Sequence, residues 1–302
     1  MLEKFRGCLL GLAVGDSLGA PYEGLPPDLI RELGPADQIV QNLEQKKLCY
    51  TDDTEMMFGV AEALSEDGEI IQEKLAWRFG QNYHPERGYG QSARKVIEAI
   101  IKNEDWAKLA KNSFNGQGSL GNGAAMRVAP VGLAFYSDVE KLKQQATLSS
   151  LPTHTHPIGI AGARLVALTV SFACATERLN RNELLDFLMQ HEIEEEFRWQ
   201  LELARSLSPF QSLASFGNAI EAHRSVVTSI ICFADSPQDF AGAISRAIGQ
   251  GDDVDTLAAM TGAMCGAHVG VSGIPESLLE NLESRERIDE LAHHLCNRFY
   301  EN

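Results

Sequence analysis

Residues 5–19 read Phe5-Arg6-Gly7-Cys8-Leu9-Leu10-Gly11-Leu12-Ala13-Val14-Gly15-Asp16-Ser17-Leu18-Gly19, with glycine at every fourth position from Gly7. A second series, Gly262, Gly266 and Gly270, repeats the step near the other end of the chain. Residues four apart share one helical face, so each series marks a strip of bare backbone. Glycine costs a helix about 1 kcal/mol relative to alanine, and a ladder of it implies that another helix comes close. The pattern predicts a first helix and a helix after Asp255 deep in the core, with their loops at one mouth. The stretch from Gly15 to Glu23 is expected to end the first helix and to present Asp16 and Glu23, with Gly15 and Gly19 either closing the ladder or already in the loop.

Outward from these segments, apolar residues recur at helical spacing over 54–64, 70–80, 91–102, 158–174, 182–189, 196–206, 218–233, 238–248, 256–270 and 286–300. Alternating strand patterns are scarce, and the 26 glycines and 11 prolines serve mainly as stops between runs. The expected architecture is all-α: one compact domain of many helices over residues 1–302. Intervals 15–52, 80–92, 112–128 and 149–158 read as long loops, which in a compact domain are usually functional.

Composition narrows the function. A 302-residue chain that is 44% hydrophobic and 23% charged has the balance of a soluble globular protein. Its formal net charge of −16 opposes encounter with nucleic acid or anionic membranes, so neither is an expected partner. The six cysteines are dispersed without a Cys-x-x-Cys pair, which signals neither a disulfide framework nor zinc. The first apolar stretch is too short for a membrane span and wrongly flanked for a signal peptide. A cytoplasmic monomer is expected.

Two acidic runs carry the chemistry. Thr51-Asp52-Asp53-Thr54 opens one helical segment, with Thr51 as a candidate N-cap. Acids in a first turn favourably meet the helix dipole, so this run alone is readable as a cap. Asp252-Asp253-Val254-Asp255-Thr256 puts three carboxylates and a hydroxyl within five positions, ahead of a second helix. Carboxylates crowded this closely repel one another, and two such runs ask for a common cation. Hard oxygen ligands suit magnesium, manganese or calcium, although the spacing is not that of an EF-hand. The loop Gly118-Ser119-Leu120-Gly121-Asn122-Gly123-Ala124-Ala125-Met126-Arg127 offers backbone N–H groups followed by a cation, a cradle for phosphate without the lysine of a Walker loop. Thr153-His154-Thr155-His156-Pro157 sets two imidazoles on a turn, where a capping or core role is at least as readable as a ligand contact.

Taken in order, Phe5-Arg6-Gly7, Gly15-Asp16-Ser17-Leu18-Gly19 with Glu23, Thr51-Asp52-Asp53-Thr54, Arg87-Gly88-Tyr89-Gly90, the Gly121–Arg127 stretch, Thr153-His154-Thr155-His156-Pro157 and Asp253-Val254-Asp255-Thr256 resemble the ADP-ribosylglycohydrolase family. That family includes dinitrogenase reductase-activating glycohydrolase, the ADP-ribosylarginine and ADP-ribosylserine hydrolases, and lens crystallins. The resemblance implies a compact all-α fold with a two-metal site at the mouth of a cleft, holding magnesium or alternatively manganese. Thr51, Asp52 and Asp53 would ligate from one side and Asp253, Asp255 and Thr256 from the other. Gly121, Asn122, Gly123, Met126, Arg127 and His154 would hold the diphosphate of ADP-ribose and its surroundings. The metals, Arg127 and His154 would supply the positive charge that an anionic substrate needs in an acidic protein. Glu23 corresponds to an acidic residue with a catalytic or metal-gating role, and either Glu23 or Asp253 would be the general base.

The implied reaction is metal-dependent cleavage of the glycosidic bond between ADP-ribose and a modified amino-acid side chain or small acceptor. A non-catalytic ADP-ribose binder or structural relative, and a metal-dependent nucleotide phosphohydrolase, are the alternatives. The family's last motif usually reads Gly-Gly-Asp-Thr-Asp-Thr/Ser, so Asp252 stands for its second glycine and Val254 for its threonine. Asp252 is thereby a candidate additional ligand, and Ala124 stands where glycine is common.

Overall fold

The computed structural model describes residues 1–34, 40 and 46–300. Among these the regular structure is helical, and two isolated bridges, Leu48 with Leu282 and Gly121 with Glu221, are the only extended pairings. The helices are α1 (Leu2–Gly19), α2 (Pro27–Glu32), α3 (Asp52–Asp67), α4 (Gln72–Asn82), α5 (Gln91–Ile101), α6 (Trp106–Gly116), α7 (Ala129–Ala134), α8 (Val139–Ser150) and α9 (Pro157–Ala175). They continue as α10 (Arg181–His191), α11 (Glu195–Ser206), α12 (Pro209–Phe216), α13 (Ala222–Ala234), α14 (Phe240–Ile248), α15 (Val254–Val269), α16 (Glu276–Asn281) and α17 (Arg285–Tyr300).

The two glycine series meet. A side-chain carbon added at Gly7, Gly11 or Gly15 would run into the carbonyl oxygen of Gly266, Gly262 or Ala258 respectively, and one at Gly19 would lie 2.5 Å from Asp255 Cα. As one chain position rises the other falls, so α1 and α15 run antiparallel with backbone against backbone. No other residue permits that distance. Around this pair, α9, α13 and α14 pack on α15, α17 packs on α1, and α3 lies against α17 and α7. Arg6 fixes α17 to α1 through a two-pronged pair with Asp289, at 2.8 and 3.0 Å.

By length and composition α9 could cross a membrane, but 72% of its apolar window is buried within the fold. It is a core helix, started by Pro157 behind His156, whose Nδ1 accepts from the Ile158 N–H.

The structure moves several expected boundaries. The first helix continues to Gly19, so Gly15 to Gly19, placed at a helix end or in the 15–52 loop, are helical and buried. Its partner α15 continues alongside, and the close contact extends with it. Helix α2 also falls in that interval, while positions 35–39 and 41–45 lie outside the described residues. The run read as helical from 218 starts at Ala222. Helices α6, α7, α8, α12 and α16 have no counterpart among the expected helical runs.

Candidate functional site

The ladder delivers three chain segments to one place. Asp16, in the last turn of α1, is fully buried and accepts from the Thr51 and Thr54 N–H groups at 3.0 and 3.1 Å and from Thr54 Oγ1 at 2.6 Å. It therefore caps α3 from a different helix, meeting N–H groups that have no partner within that helix. Thr51 adds the local cap, its Oγ1 accepting from the Asp53 N–H. The place of Asp16 between Gly15 and Gly19 of the ladder is the signal in the sequence for that reach.

The second run forms a left-handed turn ahead of α15, with φ of 73° at Gly251 and 58° at Asp252. This backbone explains why glycine is usual there, and aspartate is among the few side chains that tolerate it. Asp252 ties down the turn bearing Glu23: its N–H donates to Leu25 O and its carbonyl accepts from Gly24 N–H, both at 2.8 Å. The Asn218 amide donates to the carbonyls of Gly251 and Asp253, 2.8 Å each. Asn122 Nδ2 donates to Asp253 Oδ2 at 2.6 Å, which joins the glycine loop to the acidic run. Thr256 Oγ1 and Thr51 Oγ1 both lie within hydrogen-bond reach of Asp53 Oδ2, at 3.4 and 3.3 Å, so the two runs touch.

Carboxylate oxygens of Glu23, Asp253 and Asp255 lie within 4.8 Å of one another. Asp252 is outside that group and exposed. Burial, and then the neighbouring carboxylates, hold Asp53 and Asp255 well above the usual range. The same causes push Asp52 up to about 8, and burial alone pushes Asp16 up to about 6 against the hydrogen bonds it accepts. Burial also raises Asp253 and Glu23, the latter helped by Asp253. Among the described residues, Asp53 Oδ1 and Asp255 Oδ1 are buried without a hydrogen-bond partner. Hard oxygens that repel one another and lack donors are a donor set for a divalent cation.

Beside the acids, Asn122 N–H donates to Ile220 O and Ala222 N–H to Leu120 O, fixing the glycine loop against the start of α13. His154 lies under the loop: a carbon at Gly123 would come 2.9 Å from its Cε1. Burial, and then the charge on Arg127, push the imidazole down to about 3, so it is neutral; Nδ1 lies 2.7 Å from Thr153 Oγ1. Met126 is 5% exposed beside Gly123.

Neither Arg127 nor His154 presents the positive charge expected of it. Arg127 has no exposed surface, and it donates to Gly123 O, Ser149 O and Thr153 Oγ1 while lying 4.7 Å over the Phe79 ring. It braces the loop from below and offers no cation to a ligand, although a guanidinium pushed down to about 9 by burial is still charged at neutral pH. His154, being neutral, brings no positive charge either. Sequence missed a cavity of about 340 Å³ lined by Glu23, Asn218, Ile220, Arg224, Asp252 and Asp253. Among the described residues the Arg224 side chain has no hydrogen-bond or ion-pair partner, and reading 218–233 as one helix hid this rim.

Fold and site together define a helical protein with a cluster of acidic side chains that is a candidate site for a cation. The sequence model of the ADP-ribosylglycohydrolase family matches residues 1–302, and the chain belongs to that family. It is 34% identical to the ADP-ribosylhydrolase ARH3 of Bos taurus, over 99% of this chain and 93% of that protein. The Homo sapiens ADP-ribosylhydrolase ARH3 is 33% identical over 99% and 94%. A solved structure of an ADP-ribosylglycohydrolase-related protein complex superposes with a TM-score of 0.77 at 24% identity, covering 98% of both chains, and shares the fold.

Proposed function

We propose that this chain hydrolyses the glycosidic bond between ADP-ribose and a modified amino-acid side chain or small acceptor, and that it depends on divalent cations. The observation that carries this reading is the meeting of two acidic runs, with buried oxygens lacking donors, beside a glycine loop. Thr51, Asp52 and Asp53 from the start of α3, and Asp253, Asp255 and Thr256 from the start of α15, would hold two ions. Magnesium suits the oxygen set best, with manganese second. When bound, such ions offset the carboxylates and polarise oxygens of the substrate.

The chain's own residues do the rest. Gly121 and Gly123, which carry no side chains beside the neutral His154, leave room for the diphosphate, while the N–H groups of Gly121 and Asn122 are spent on Ser119 Oγ and Ile220 O in holding the loop. Water attacks the anomeric carbon, the bond to the acceptor breaks with its electron pair leaving on the acceptor, and the water's proton passes to a carboxylate and from it to the departing acceptor, which restores the carboxylate. Glu23 suits that role: it is exposed on its turn and its affinity for protons is raised. Asp253 is 8% exposed, and its Oδ2 is already occupied by Asn122. We read the chain as a cytoplasmic monomer acting on ADP-ribosylated proteins or small molecules, with the charge of −16 disfavouring nucleic acid.

Asp53→Ala and Asp255→Ala are expected to abolish release of ADP-ribose in magnesium while circular dichroism stays that of a folded helical protein. Unchanged turnover in either variant would sink the two-run site. Product analysis separates the chemistry: free ADP-ribose supports glycohydrolysis, inorganic phosphate from a nucleotide supports phosphohydrolysis, and tight binding without turnover supports a binder.

A further inference from the structure

We propose that Glu55 is a positioning residue that fixes one wall of the substrate cleft by anchoring the loop 83–90. Glu55 sits on α3, one turn beyond Asp52, and is only 3% exposed. Its oxygens are taken up by that one loop. Oε1 accepts from the His84 N–H at 2.8 Å and from Tyr89 OH at 2.7 Å, and Oε2 lies 2.6 Å from His84 Nδ1.

A second pin lies between them. Arg87 donates to Tyr50 O at 2.7 Å, stacks 4.1 Å over the Tyr50 ring and pairs with Glu283. Loop 83–90 is thus clamped to positions 50 and 55, on either side of Asp52 and Asp53. At its crest Gly88 has φ +94° and is exposed; a carbon there would meet only Asp52 Oδ1, at 3.7 Å, and one at Gly90 would meet nothing within 4 Å. Bare backbone facing open space beside a site carboxylate allows close approach of a ligand.

A buried carboxylate is costly unless its bonds are met, and a well-packed apolar residue could stabilise α3 equally well. Spending all of these bonds on one loop, at the edge of the acid cluster, is a positioning arrangement. Both Glu55 oxygens are engaged by the loop, whereas Asp53 keeps a buried oxygen without a partner, which separates their roles.

The inference uses the proposed function only in choosing ADP-ribose as the probe. Glu55→Ala, Glu55→Gln and Tyr89→Phe would be measured for ADP-ribose affinity and turnover in magnesium, for magnesium affinity alone, and for amide hydrogen exchange over 83–90. In Glu55→Ala and Tyr89→Phe, ADP-ribose affinity should fall and KM should rise about tenfold. In both, kcat and magnesium affinity should hold within about twofold, and the loop should exchange faster. Glu55→Gln still accepts from Tyr89 OH and the His84 N–H, so it should stay close to wild type. Wild-type ADP-ribose affinity and loop protection in both disruptive variants would overturn the proposal. So would magnesium affinity falling in step with ADP-ribose affinity. If Glu55→Ala does not fold, Tyr89→Phe decides. If wild type fails to bind ADP-ribose, the functional reading falls, and the exchange data still judge the anchor.

Discussion

Six acidic side chains, Asp16, Glu23, Asp52, Asp53, Asp253 and Asp255, all have their affinity for protons raised, chiefly by burial, while the buried His154 has its affinity lowered. Asp52, Asp53, Asp253 and Asp255 were readable because same-sign charges crowded at two helix starts are anomalous in any fold. Arg127 was misleading because nothing local shows whether a guanidinium faces a ligand or props up a loop, and here it turns inward to Gly123, Ser149 and Thr153. His154 carries a pH signature. Its folded imidazole is pushed from 6.5 down to about 3, so below about pH 6.5 the unfolded chain takes up a proton that the folded chain refuses. Its contribution is intact above that pH and declines as pH falls, by up to about 1.4 kcal/mol per pH unit. Relative to wild type, His154→Gln should gain stability in urea titrations as pH falls from 6.5 to 4, whatever net trend the acid cluster sets, and parallel curves would refute the assignment. Asp252→Gly is expected to leave magnesium affinity within about twofold and to stabilise the fold slightly, because glycine adopts the left-handed turn without strain. A marked loss of affinity in calorimetry would instead make Asp252 a ligand.

At the scale of elements, the glycine ladders said which two helices would touch, because few other pressures place glycine at four successive i+4 positions. They did not say where the contact would stop, and the first helix outran its expected end. The unforeseen helices are short or polar and lack a long apolar stripe, but some announced themselves at their caps. Ser208 and Gln211 form a reciprocal capping box ahead of α12, and Asp138 accepts from Lys141 N–H at the start of α8. Gly11→Ala or Gly262→Ala sets helix propensity against packing. The methyl gains roughly 1 kcal/mol of propensity, yet it must displace a facing backbone carbonyl that cannot rotate away. Net destabilisation of about 1–3 kcal/mol is expected from urea unfolding, and neutral or stabilising values would show that the helices can slide apart freely.

For the molecule as a whole, the acid cluster couples stability to both pH and cations. Without cations, burial raises Asp16 to about 6, and burial together with repulsion from neighbouring carboxylates raises Asp52 to about 8. The folded chain then keeps protons that the unfolded chain releases, so this contribution is full below about pH 4 and is lost as pH climbs through about 6 and then 8. The Tm of chelator-treated protein should therefore fall from about pH 5 to 8, and the increment from added magnesium should grow over the same range. A magnesium increment independent of pH would mean that the ion binds elsewhere. The ladder bears on this at a distance. Because α1 and α15 meet through backbone, the carboxylates at the ends of this frame cannot relax apart when the cation leaves, and their repulsion is retained as electrostatic tension. A cation that releases this tension is bound more tightly than one entering a pliable site. Its affinity therefore originates partly in glycines that never approach it: Gly262→Ala, two turns along α15 from Asp255, should weaken magnesium binding while leaving every ligand in place.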